Sequence, residues 1–230
     1  MKKISVIFVL MCLVLSAAVS GSGYESLSMN IGTRASSMAG AFTASADDSS
    51  AVFWNTAGLA RIKALEVSAA YYKWFLDTSM QYVTAAMPVT GGGVGLLISY
   101  MNMGSLDYID EEGCLTGETI NPFSLNLAGG YGSYLFNYYE NTGNTIPDIS
   151  VIAGVGFNVY LANDGEQNMG TVLFEAGTIV ELQKKISVGL SMRNLNVNTD
   201  NLSPGVISIG VSWQAVENTF HKLMVSGEYV

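Results

Sequence analysis

ISVGLSMR, residues 186–193, is the stretch from which the fold follows. Ile186, Val188, Leu190 and Met192 alternate with Ser187, Gly189, Ser191 and Arg193, and a period of two is the mark of a strand with one apolar face. The second face is small or polar. Val94, Leu96, Ile98 and Tyr100 alternate in the same way with Gly95, Leu97, Ser99 and Met101, and Val151, Val155, Phe157 and Val159 with Gly154, Gly156 and Asn158. Outward from these, nine segments read as strands: Leu65 to Phe75, Ser79 to Pro88, Gly93 to Met103, Phe123 to Tyr134, Ser150 to Leu161, Thr171 to Leu182, Ile186 to Leu195, Val206 to Trp213 and Lys222 to Val230. Their length is close to the roughly 9 to 11 residues of a tilted membrane strand.

Which face meets what is a separate question, because a soluble β-sandwich shows the same alternation. The water-facing side of a sandwich carries Lys, Glu, Thr and Arg in quantity. Here the polar side is mostly Gly, Ser, Ala and Asn, as expected of a face packed closely against something internal. Glu175, Glu181 and Arg193 are its charged exceptions, candidates to meet Arg34, Asp47 and Asp48. Aromatic residues near segment ends (Tyr71, Tyr72, Trp74, Tyr100, Tyr134, Tyr160, Trp213, Tyr229) fit the interfacial girdles of a membrane barrel. With residue 65 on the periplasmic side, the short turns at 89–92 and 183–185 are periplasmic and the longer polar connections 104–122, 162–170 and 196–205 lie at the surface. The connection 135–149 is long where a short one is expected.

Composition agrees with export to a membrane. Lys2-Lys3, the apolar run 4–15 and the small residues 16–20 have the three parts of a secretory leader, residues 1–22, with an apolar core too short to span a bilayer as a helix. Cys12 leaves with it, so Cys114 has no internal disulfide partner. Without Lys2 and Lys3 the chain has 8 basic residues against 19 acidic ones, a net charge of −11, which argues against nucleic acid as a partner. Hydrophobic residues make up 49% and charged residues only 13%, about half the usual charged share of a soluble domain. No later run is long enough for a transmembrane helix. An apolar exported chain of this kind is expected to cross a membrane with strands.

The strands are preceded by IGTRASSMAGAFTASADDSSAVFWNTAGL, residues 31–59, which is no strand. Small residues dominate, and Met38 and Phe42 fall four apart on one face of an expected short helix. A cap is expected at Asp48 or Ser49, a helical turn through Ala51, Val52 and Phe53, and a left-handed turn residue at Gly58. Gly32, Arg34, Met38, Gly40, Ala41, Phe42, Thr43, Ala44, Asp47, Asp48, Ser50, Ala51, Asn55, Ala57, Gly58 and Leu59 together resemble the N-terminal signature of the FadL-like outer-membrane barrels, most closely their PorV/PorQ branch. That family usually has Pro after the Asn, where this chain has Thr56. The resemblance implies an antiparallel transmembrane β-barrel over residues 65–230, plugged by a short helical hatch over residues 23–64. Family members close with fourteen strands, and bacterial single-chain barrels with an even number. Nine strands ending on Glu228-Tyr229-Val230 are therefore expected to be a barrel incomplete at its C-terminus.

No catalytic, cofactor or metal site emerges beside this. Asp47-Asp48 reads as a cap and ion pair, and neither Asp110-Glu111-Glu112 nor Asn163-Asp164-Gly165-Glu166 has calcium-loop spacing. His221 has no serine or cysteine motif to act on. Gly91-Gly92-Gly93 and Gly129-Gly130 fall at a hairpin and inside a strand, not between a strand and a helix as nucleotide binding requires.

The expected function is non-enzymatic, in the outer membrane and in contact with its lipid. Two roles compete. A PorV/PorQ-type component would take part in protein secretion or cell-surface attachment, with secreted proteins or a secretion machine as partners. A FadL-type transporter would pass hydrophobic small molecules such as long-chain fatty acids, and Met38, Phe42, Phe53, Trp54, Leu97 and Met101 are the residues to line its lumen pocket. Those same side chains could instead pack the hatch against the wall. A soluble secreted β-sandwich of structural role is the third reading.

Overall fold

The computed structural model describes residues 27, 29–74, 77–109, 114–139, 147–165, 167–183, 185–196, 205–217 and 222–229. The expected leader, the acidic run 110–112, Glu166, His221 and the middle of the 135–149 connection lie outside the described residues. Two short helices, α1 (Thr33–Ser37) and α2 (Ala51–Trp54), and a 3₁₀ helix (Thr56–Arg61) come first. Strands follow: β1 (Glu66–Lys73), β2 (Ser79–Val89), β3 (Gly92–Asn102), β4 (Leu106–Ile109), β5 (Leu115–Ile120), β6 (Phe123–Tyr138), β7 (Ile149–Asn163), β8 (Asn168–Leu182), β9 (Ile186–Asn196), β10 (Val206–Glu217) and β11 (Lys222–Tyr229).

The protein is all-β in its main body. Nine strands form one antiparallel sheet in the order β1-β2-β3-β6-β7-β8-β9-β10-β11, and they are the nine read from alternation, with ends moved by no more than four residues. The hairpin β4-β5 was not anticipated. It pairs Leu106 with Ile120 and Asp107 with Thr119 inside the connection between β3 and β6. Its short, mostly exposed strands carry no alternation to read. β6 also continues past its expected end, because a bulge at Leu135 leaves Leu135 and Phe136 both exposed and breaks the period of two. The 135–149 connection thereby shortens to 139–148.

The two faces of the sheet differ as the alternation requires. Val83, Leu96, Ile98, Val155, Phe157, Val172, Phe174, Val188, Leu190, Ile207, Ile209 and Val211 stand exposed on one face. The other face is buried under residues 31–62. Of the aromatic residues expected at a girdle, Tyr71, Trp74 and Trp213 are exposed, whereas three others do not face outward. Tyr72, Tyr134 and Tyr160 face inward and pack on the buried clusters.

The 3₁₀ helix lies at the centre of the inner face: it touches β2, β3, β6, β7 and β8, and its Arg61 also bonds Ser187 of β9.

Candidate functional site

The feature that organises the inner face is the seat of the N-terminal segment. Gly93, Gly132, Gly154 and Gly177 are direct cross-strand neighbours, and Gly95, Gly130 and Gly156 form a second row ending at Glu175. Gly189 and Gly210 pair further on. A Cβ on these glycines would run into the segment itself: into the backbone of Leu59 from Gly93, of Thr56 and Ala57 from Gly132 and Gly154, and of Thr43 and Ala44 from Gly189. The segment's main chain thus lies directly on the wall, an approach only glycine permits.

The side chains of the segment fasten it there. Asn55 donates through Nδ2 to Thr43 O at 2.9 Å and, more weakly, to Thr178 O and Leu190 O at 3.4 Å, while its Oδ1 accepts from Ala57 N. Trp54 Nε1 donates to Ile31 O at 2.7 Å, and Tyr82 Oη accepts from Gly32 N. Gly32 and Gly40 take positive φ, as a turn on either side of α1 demands. Gly58 does not. It lies within the 3₁₀ helix, where a Cβ would stand 2.5 Å from Ala46 O, so close packing and not left-handed geometry requires it.

Other local expectations are corrected in the same way. α1 ends at Ser37, so Met38 and Phe42 share no helical face; the turn through Ala39 and Gly40 brings both to the same cluster. α2 is preceded by Ser50 at the cap position, and Asp48 Oδ1 accepts from Ser50 N and Ser50 Oγ. Phe42, Phe53, Trp54 and Leu97 are buried in one cluster, with Met38 and Met101 packed against it. The six residues expected to line a lumen pocket are thus together, in contact with one another and with the wall.

The ion pair expected at Asp47-Asp48 is present within the segment: Arg34 bonds Asp47, stands 3.6 Å from Asp48 and lies over the Phe42 ring, partly exposed, while the wall charges have other partners. Glu181 belongs to Arg61, whose Nη2 lies 2.7 Å from Oε1 and whose remaining donors reach Ala44 O, Ala46 O and Ser187 Oγ at 3.0 to 3.1 Å. Both side chains are almost completely buried. Arg61 lies just past the motif, and no local pattern announces its role. Arg193 donates to Phe53 O and covers the Phe53 and Trp54 rings at 4.9 and 5.3 Å. Alternation along β9 already turns Arg193 inward; a β-bulge adds Asn194, because Phe174 pairs with Leu195 and Ala176 with Met192, so that both residues oppose Glu175.

Glue of this kind defines a class: an antiparallel β-protein whose sheet is seated on an N-terminal segment through glycine rows and two buried arginines. Residues 16–134, which hold the segment and the sheet as far as β6, match the model of the Uncharacterised protein family (UPF0164), and the chain belongs to that family. No curated protein and no solved structure matches it.

Proposed function

We propose that this chain is an outer-membrane β-barrel protein of PorV/PorQ type, with residues 23–64 as its hatch and a non-enzymatic part in protein secretion or surface attachment. The observation that carries the membrane reading is the outward face of the sheet. From β1 to β10 it is built of exposed Val, Leu, Ile and Phe, with its polar residues, such as Lys73, Gln81 and Asn163, toward the strand ends. Soluble monomers rarely present so extended an apolar surface, and a lipid-facing wall needs one. A soluble sandwich would bury this face and wet the other. The choice of role rests on the inner cluster, where Phe42, Leu97 and Trp54 are taken up in packing the hatch and leave little apolar wall for an acyl chain.

Fractionation tests the first part: the protein should follow the outer membrane, need detergent for solubility and change electrophoretic mobility on heating. Recovery as a soluble periplasmic protein sinks the barrel. For the role, lipids and proteins that co-purify from native membranes are identified together by mass spectrometry. A secreted protein partner with an empty lumen is the expected result, and a stoichiometric fatty acid without a protein partner would transfer the assignment to hydrophobe transport.

A further inference from the structure

Beyond the glycine rows, the inner face carries a polar layer that the seating of the segment does not use. Thr56 Cγ2 rests over Gly130 and Gly156, and the point where a Gly156 Cβ would stand lies 2.9 Å from that methyl and 3.5 Å from Glu175 Oε2. Asn158, two residues along β7 from Gly156, is the diagonal neighbour of Glu175 on one side and of Asn126 on the other. Such inward diagonal neighbours stand about 7 to 8 Å apart at Cα, within reach of their side chains. Thr56 is 2% exposed, Asn158 1%, and Asn126 and Glu175 6% each.

Three oxygens in this layer, Thr56 Oγ1, Asn126 Oδ1 and Asn158 Oδ1, are buried and have no hydrogen-bond partner among the described residues. Unmet buried acceptors are costly, and Thr56 and Asn158 both neighbour Gly156, beside which the buried Glu175 carboxylate lies. One small cation satisfies several such oxygens at once, as carbonyl oxygens do when they replace an ion's hydration shell. Glu175 is the single carboxylate among these residues, so the oxygens match one positive charge and are poor for calcium, which takes about six to eight oxygen ligands.

We propose that Thr56, Asn158 and Glu175, with Asn126 at the rim, form a binding site for a small monovalent cation such as sodium between the N-terminal segment and the sheet. The proposal does not depend on membrane location or on a secretion role. Full-length protein in detergent is unfolded by heat over a range of NaCl concentrations, with N-methylglucamine chloride keeping ionic strength constant. Above saturation, each tenfold rise in sodium should shift the folding equilibrium about tenfold toward the native state.

Thr56→Val keeps the methyl over the glycines and removes the oxygen, so it should weaken the sodium response while leaving stability in N-methylglucamine equal or higher. Asn158→Leu should do the same. An identical wild-type response to the two cations, which needs no variant to observe, would mean that water meets these oxygens and would overturn the site. Stabilisation by calcium alone, or an unchanged sodium slope in Thr56→Val, would overturn it as well.

Discussion

Gly154→Ala is the sharpest test of how the segment is seated. The new Cβ would stand against Thr56 C, Thr56 O and Ala57 N, all backbone atoms of the 3₁₀ helix, which Asn55 and the flanking glycine rows hold in place. Overpacking of a close-packed site costs about 1 to 3 kcal/mol, and replacing glycine in a strand returns roughly 0.5 to 1 kcal/mol of backbone entropy. All three contacts are backbone, so the cost falls at the upper end and the net loss is about 2 kcal/mol, a factor of roughly 30 in the folded-to-unfolded ratio. Gly170→Ala, in the neighbouring strand, is the control. Its Cβ would meet only Leu161 Cδ2 at 3.2 Å, the end of a flexible side chain, so that variant should be neutral or slightly more stable. Denaturant titration in detergent measures both, and tryptic cleavage after Arg61 reports whether the segment has lifted. Equal stability of the two variants, with Arg61 protected in both, would refute the idea that main chain lies on the glycine rows.

Arg61→Met strands a buried Glu181 carboxylate and should cost about 3 to 5 kcal/mol, while the double replacement Arg61→Met/Glu181→Met should recover most of it; a single variant no weaker than the double would contradict the pairing. Arg34→Met removes a partly exposed pair with Asp47 and should cost under about 1 kcal/mol, leaving solute permeability of liposome-reconstituted protein far closer to wild type than Arg61→Met does. Val155→Arg, in the middle of β7 on the outward face, should cost about 2 to 4 kcal/mol if that face meets lipid and deplete the protein from outer-membrane fractions. A face that meets water would absorb the same change within about 0.5 kcal/mol, so an unchanged level would count against the membrane.

What could be read in the sequence was whatever depends on near neighbours. The nine strands were legible because the period of two survives in each, and the small inner face was legible because Gly, Ser and Asn replace the long charged residues of a wetted sheet. Leu135 shows the limit: one inserted residue reversed the alternation and hid the end of β6. Charge partners were not legible, since they depend on register. Arg61 meets a carboxylate 120 residues away. Arg193 was placed on the inner face by alternation, but its partner Phe53 lies 140 residues away.

The motif and the glycines are two halves of one feature, and neither explains itself alone. Asn55 has its fixed place because it must bond strand carbonyls at 178 and 190 while its own Oδ1 crowds Gly177. Gly93, Gly132, Gly154 and Gly177 occupy unrelated positions along the chain until pairing sets them in a row. Thr56, where the resembling family usually has Pro, sits at the first position of the 3₁₀ helix, a place that Pro also suits. The backbone path therefore does not call for threonine. What its side chain adds is a methyl over the second glycine row and a buried oxygen that the seating does not use, so the departure from the motif leaves the seat intact.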